Sequence, residues 1–406
     1  MPQPLTDIRV LDLTRLLPGG FCSQLLADFG ADVIKVEDTG AGDYMRLAPP
    51  YYDGREASVR SAPFLALNRN KRSIQLDLKS PDGREALRRL AETADVLIES
   101  FRPGVLERLG VGYDVLAELN PRLVYCPITG YGRSGPNVER SGHDINYLAL
   151  TGLLAVTGDG EAAPVSSAGQ IADLGGGALM AAIGILAALR ERDGAPGAPG
   201  SGLGQVVDVS MFDGALSWLA LPAAEALCTG RSQRRGELML GGSALCYRPY
   251  RCADGFVSIG AIEPKFWSAF CHGVGRSDLI ARQFDPPGSD AHRVVEEIFA
   301  ERTRAEWAAF AGEHDCCVEP VLEVDEALET ELVAEREMVV TLDQPQIDGT
   351  VRVVGPPIKL SRTPAQANRR PAPALGEHTA EILAATARRS GEEASAANHE
   401  RGLSPA

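Results

Sequence analysis

Histidine is scarce in this chain, with six among 406 residues, and aromatic side chains make up only 6%. Basic residues are outnumbered as well: 40 Lys and Arg against 55 Asp and Glu leave a net charge of −15. A nucleic-acid or anionic-membrane binder needs a basic face, so neither partner is expected. Local basic spots can still hold a small phosphorylated ligand. The GxGxxG fingerprint of dinucleotide enzymes is missing, since the first turn reads LLPGGFC, and a nicotinamide cofactor is not expected. Eight cysteines are scattered without CxxC spacing, and the adjacent Cys316 and Cys317 are poor partners for each other. They read as reduced thiols of a cytoplasmic enzyme without a metal site. The start, MPQPLTDIRVLDL, has no apolar h-region, so no secretory signal is expected. The longest charge-free apolar run, Leu174 to Leu189, falls short of the roughly 18 residues of a spanning helix. It also holds four glycines, and a buried helix is the better reading.

What is present has ordinary globular composition, 44% hydrophobic and 23% charged, in a chain long enough for two or three domains. Short β-rich runs at 8–13, 32–37, 73–78, 95–100 and 123–128 alternate with segments of helical spacing. Ser80 followed by Pro81 reads as an N-cap and first-turn pair. This alternation predicts right-handed βαβ units, hence an α/β fold with a mostly parallel sheet covered on both faces. Residues 1–205 form the first part of a large domain in this reading. A strand and helix over 206–230 connect it to a small α+β domain over 231–320. A strand and helix in VEPVLEVDEAL then rejoin the large domain, and 321–387 end in a Pro-rich crossing segment. The tail 388–406 is polar, alanine-rich and expected to be disordered.

In open α/β sheets ligands gather beyond the carboxyl ends of the strands. There the sequence places Leu76, Asp77, Leu78 and Lys79, then Ser100, Phe101 and Arg102, with Arg108 just beyond. Lys71 and Arg72 precede the third strand. Such cations could hold phosphates, although each alone also reads as a solvated surface charge. In SGHDINYLAL, Gly142 allows an unusual turn and Asp144 or Asn146 could cap the helix that follows. A helix start offers free backbone N–H groups and partial positive charge, which suits a carbonyl oxygen gaining negative charge. His143 beside it could exchange a proton with the carbon next to that carbonyl. Asp173 repeats the arrangement ahead of GGGALMAAIGILAAL, and Glu263 sits in apolar VSIGAIEPKFW. The plainer readings stay open: Asp144 and Asp173 as caps, His143 as a packed or exposed imidazole, Glu263 as a turn residue.

The motifs LTRLLPGGFCSQLLADFGADVIKVE, NKRSIQLDLKS, ESFRPGVLERLG, RLVYCPITGYGRSGP, GHDINYLALTG, ADLGGGALMAAIGILAAL and LGEHTAEIL are similar to the family III CoA-transferase (CaiB/BaiF) superfamily. The likeness runs over residues 5–385. GHDINY and GAIEP resemble its α-methylacyl-CoA racemase branch. The resemblance implies a Rossmann-like large domain, a small domain and two chains interlocked as a homodimer. It implies an acyl-CoA thioester as substrate, with CoA carried on the substrate and no other cofactor. CoA contacts would come from Leu76 to Lys79, Ser100 to Arg102, Arg108, Gly142, Ile145, Asn146 and Tyr147. For catalysis it implies a racemase or epimerase working by 1,1-proton transfer through an enolate. His143 and Asp173 would be the two bases, Glu263 would orient His143, and the Asp144 amide would hold the enolate oxygen. A rival within the superfamily is CoA transfer between carboxylic acids through a thioester on Asp173, with His143 idle. There Gly241 and Gly242 would resemble a shielding glycine loop. A silent CoA-binding subunit paired with an unlike chain is a third reading, disfavoured by the intact His143, Asp173 and Glu263. Three departures stand out: MLGGSALCY where racemases carry aspartate and proline, Asp38 where some carry arginine near the adenosine of CoA, and LPGG at the first turn. The acyl group is not legible.

Overall fold

The structure, a computed structural model, describes residues 3–54, 60–160 and 162–387. The expected disordered tail, 388–406, lies outside the described residues. Two compact units divide the chain: Met1–Tyr147, Gly169–Ala215 and Leu332 onward form the first, and Leu148–Ala168 with Leu216–Glu331 the second.

The first unit is built on six strands, β1 (Arg9–Asp12), β2 (Asp32–Glu37), β3 (Arg72–Gln75), β4 (Val96–Glu99), β5 (Val124–Thr129) and β6 (Val209–Ser210). They form one sheet in the order β3-β2-β1-β4-β5-β6, with every neighbouring pair parallel. Burial on both faces explains why β4 and β5 read as continuous apolar runs rather than alternating ones. The strand order reverses between β1 and β4, and the crevice beyond their carboxyl ends is where such a sheet takes a ligand. Helix α1 (Leu17–Asp28) follows β1 directly. Its LPGG start has a steric reason: a Cβ on Gly19 would lie 2.2 Å from the Thr14 side chain. Helix α2 (Pro81–Ala91) starts as the sequence indicates, Ser80 Oγ accepting the Gly83 amide at 3.0 Å.

Helix α3 (Asp144–Thr151) is shorter than its apolar pattern, because Gly152 at φ +86° turns the chain. The apolar run after residue 170 is one continuous helix, Ile171–Asp193, long and apolar enough by composition to cross a membrane but half-buried. Its first nine residues, Ile171–Leu179, have π-helical hydrogen bonding before α4 (Met180–Asp193) continues as a regular helix. The glycines there permit close packing: a Cβ on Gly176 would meet the Ala215 nitrogen and Met211 carbonyl at 2.8 Å.

The second unit has an antiparallel sheet of β7 (Tyr247–Cys252), β8 (Gly255–Gly260) and β9 (Val318–Pro320). Its core is aromatic: Phe299 stacks on Phe270 at 5.2 Å and meets Trp307 at 4.7 Å. Trp267 and Trp307 are fully buried, and each indole N–H finds a backbone carbonyl, at 2.9 and 3.0 Å. Two boundaries differ from the sequence reading. The strand in VEPVLEVDEAL does not rejoin the large domain, because β9 completes the β8 edge and buries Val318 in this core. Segment 148–168 also belongs here, where the Arg235 guanidinium donates to the carbonyls of Ala155, Asp159 and Ala162. After Leu332 the first unit gains a hairpin the sequence reading did not contain, β10 (Val339–Leu342) with β11 (Val351–Val354).

Candidate active site

Two clefts open at the carboxyl end of the first unit's sheet. The larger, about 720 Å³, is lined by Leu76, Asp77, Leu78, Lys79, Phe101 and Arg108 together with Arg15, Asp38 and Tyr44. The smaller, about 420 Å³, is lined by Ser100, Phe101, Arg102, Gly142, His143, Tyr147 and Asp173, with Tyr131, Arg140 and Met211. Leu13, Arg15, Tyr44 and Phe101 line both and so form the neck between them.

The two motif helices are tied together by Asp144. Its carboxylate, 5% exposed, accepts the amides of Ala172 at 2.6 Å and Asp173 at 3.0 Å. Asp144 therefore caps the helix carrying Asp173 rather than its own, which corrects the expectation from sequence. The residue at the N-cap of that helix, Gln170, has φ +49° and no side-chain capping bond, so the acceptor comes from elsewhere in the chain. At the start of α3 the Asn146 Oδ1 instead accepts the His143 amide at 3.0 Å, the reverse half of a capping box. As the first residue of α3, Asp144 has an amide with no intrahelical acceptor.

Asp173 has its pKa pushed up to about 6 by burial and by the nearby Asp144 carboxylate, while a positive charge on His143 pulls it down. His143 is exposed in this cleft. Tyr147 is 3% exposed, donates its hydroxyl to the Gly142 carbonyl at 2.7 Å and meets Tyr131 edge-on at 5.2 Å. Burial first, and then the charge of Asp173, pushes the Tyr147 hydroxyl up to about 12, so it stays protonated at neutral pH. Gly142 is glycine because a Cβ would lie 2.7 Å from this ring, not because its turn needs a left-handed backbone.

Other expected residues fall elsewhere. Lys71 is fully buried, with its ammonium donating to Asp12 at 3.2 Å, Gly20 O at 3.0 Å and Asn68 at 3.0 Å. All three N–H donors are used, so Lys71 is not a phosphate ligand. Arg72 opens β3, at the opposite end of the sheet from the clefts, and is bound to Asp32 at 2.6 Å. Ile145 and Asn146 do not line either cleft; Ile145 is 46% exposed and Asn146 serves the helix start. Glu263 belongs to the second unit, exposed, immediately before helix Pro264–Gly273.

Arg15 is the residue sequence reasoning missed. Its guanidinium pairs with Asp38 at 2.5 Å, donates to the Tyr44 hydroxyl at 2.9 Å, and lies 4.9 Å from that ring. Its amide donates to Ser100 Oγ at 3.3 Å, joining the ends of β1 and β4. The Asp38 departure thus has a partner: a guanidinium reaches that position from the first turn instead of from the end of β2. The signal was an arginine two residues after the Leu13 that follows β1.

Truncating Asp144→Ala leaves the buried Ala172 N–H and the part-buried Asp173 N–H without this acceptor, at a cost of about 2 kcal/mol. A lower unfolding midpoint in denaturant is expected, with Asp144→Asn, which keeps an acceptor oxygen, losing less. Equal stability of Asp144→Ala and the parent would contradict the capping role.

The profile of CoA-transferase family III matches residues 5–379. Alpha-methylacyl-CoA racemase of Mus musculus is 38% identical over 387 residues, covering 93% of this chain and 92% of its own. Succinyl-CoA:mesaconate CoA-transferase of Haloarcula hispanica is 35% identical over 396 residues, covering 93% and 95%. Among solved structures, a CaiB/BaiF family protein from Brucella suis superposes with a TM-score of 0.80 at 30% identity, covering 95% of this chain and all of that one.

Proposed function

The chain belongs to CoA-transferase family III, and on that footing we propose that it is a cofactor-free racemase or epimerase of 2-methylacyl-CoA thioesters. The observation that carries this reading is His143 and Asp173 in one cleft, close enough for charge on one to move the pKa of the other. The likeness to the mouse racemase supports the same choice. A thioester sulfur donates little electron density to its carbonyl, so the C2 hydrogen is acidic enough for side-chain bases to remove. One base takes that proton as the enolate forms, and the conjugate acid of the other returns one to the opposite face. The Asp144 amide would stabilise the enolate oxygen as negative charge reaches it. A carboxyl titrating at about 6 suits both roles of Asp173 near neutral pH. The adenosine end of CoA would lie in the larger cleft by Leu76 to Lys79, and the acyl end beside His143. The role of Glu263 rests on its GAIEP motif, and a homodimer is proposed on the family resemblance.

The testing experiment follows deuterium entry at C2 in deuterium oxide over a panel of 2-methylacyl-CoA esters. Exchange with stereoinversion is expected; neither, over every chain length, would remove the racemase reading. Turnover in either direction needs one proton shared between the two bases. kcat/KM should therefore be the same bell-shaped function of pH for both epimers, its acid limb reflecting Asp173 near pH 6.

The transferase reading is favoured by one specific observation, the close likeness to the Haloarcula CoA-transferase. There ionised Asp173 would attack the donor carbonyl, expel CoA thiolate and form a mixed anhydride. The thiolate would then attack the aspartyl carbonyl, releasing the donor acid and leaving CoA as a thioester on the enzyme. Its rate would rise through pH 6 and then level off, because only the ionised carboxyl attacks.

A further inference from the structure

Glu99 is a buried carboxyl that neither reading uses. It ends β4, at the point where the strand order reverses, and is 6% exposed. Its Oε2 accepts the Phe101 amide at 2.7 Å and its Oε1 faces the Tyr125 hydroxyl at 3.4 Å. Phe101 lines both clefts, and its neighbours Ser100 and Arg102 line the smaller. A carboxylate so placed fixes the turn that forms the neck between the clefts.

We infer that Glu99 is a positioning residue for the thioester, whose carboxylate holds the Phe101 turn in its CoA-binding form and slackens that hold on taking up a proton. The inference rests on the reading that CoA occupies these clefts. The charged groups facing Glu99 are few. From β5 come the Tyr125 hydroxyl and the buried Cys126 thiol, both of which burial pushes up and keeps neutral. From the short helix Val105–Arg108 comes Glu107, paired at 3.1 Å with Arg133 of the segment after β5. Burial raises the Glu99 pKa to about 7, against the pull of the Phe101 amide and with a push from Glu107. The proton therefore comes and goes in the neutral range. A hydrogen bond to a charged acceptor is stronger than one to a neutral acceptor by about 1 kcal/mol, which corresponds to roughly fivefold in affinity. His143 and Asp173 touch the reacting carbon in the proposed mechanism; Glu99 touches only the turn, so its effect belongs to binding.

The test is calorimetric titration of the full-length protein with coenzyme A and with dephospho-CoA from pH 8 to pH 5.5. The second probe lacks the phosphomonoester, which itself titrates near pH 6. For the parent, Kd for both probes should rise roughly fivefold on acidification. In Glu99→Gln, whose amide oxygen can still accept the Phe101 N–H, that rise should vanish. In Glu99→Ala, Kd should be raised at every pH, with circular dichroism confirming the fold. In exchange assays both variants should change KM and leave kcat close to the parent's. If Glu99→Gln keeps the parent's pH dependence, or if kcat falls while Kd holds, the inference is overturned alone. If CoA does not bind the parent at pH 8, the inference falls together with the reading beneath it.

Discussion

His143→Ala should lose stereoinversion by about 10²–10⁴-fold while leaving half of the exchange chemistry intact. With two bases on opposite faces, each epimer presents its C2 hydrogen to a different one. Removing His143 strands the epimer whose hydrogen faces the imidazole, which should neither exchange nor invert. The other epimer still meets Asp173, so it should exchange its hydrogen with solvent and return without inversion. Following deuterium entry separately in the two epimers checks this. Loss of exchange in both would mean that His143 holds the substrate instead of moving a proton. Undiminished inversion would remove it from the mechanism. In a transferase the same variant would keep most of its activity, because the imidazole has no step to perform there.

Asp173→Asn is the mirror case and carries a second signature. Inversion should fall by a similar 10²–10⁴-fold, and exchange should survive only in the epimer facing His143. Any CoA adduct formed under the transferase reading should vanish, since an amide cannot make the anhydride. Stability should move the other way. The carboxyl is held about two pH units above its ordinary value by burial and by Asp144. Folded protein therefore keeps this proton more tightly than unfolded chain, and stability is lost as pH rises from about 4 through 6. At neutral pH the asparagine variant should be more stable than the parent, on the order of 1 kcal/mol after allowing for the solvent that reaches the cleft. Below pH 4 the advantage should disappear. Denaturant unfolding at pH 4 and pH 8 measures both. A variant less stable than the parent at pH 8 would contradict the electrostatic description of this carboxyl.

Part of the candidate site was legible in the sequence, because local rules wrote it. The β-rich runs that became β1 to β5 are apolar over short lengths and punctuated by glycine, proline and caps. Ser80 capped the helix it preceded. His143 and Asp173 each stood where a helix begins, and both line one cleft. What escaped was set by contacts distant in sequence. The Asp144 carboxylate could have closed on its own helix; only tertiary packing brings it to amides 28 and 29 residues away. Lys71 looked like a free cation beside a strand. Nothing local said that Asp12, 59 residues earlier, would bury it. Arg72 was misplaced for a simpler reason: a residue before a parallel strand lies at the end of the sheet away from the ligand. Arg15 stood after β1 in plain view, but its value depends on Asp38 and Tyr44 folding back against it. Glu99 lay unmarked inside the β-rich run 95–100, and only the turn of the chain at Phe101 gives its carboxylate something to hold.

The most direct measurement starts from a single C2 epimer of a 2-methylacyl-CoA, incubated in deuterium oxide with the protein alone and no free acid. Two facing bases require that the opposite epimer accumulate with deuterium at C2, ahead of label in the recovered starting ester. Recovery of the ester optically pure and unlabelled, with CoA bound covalently to Asp173, would contradict proton transfer between His143 and Asp173.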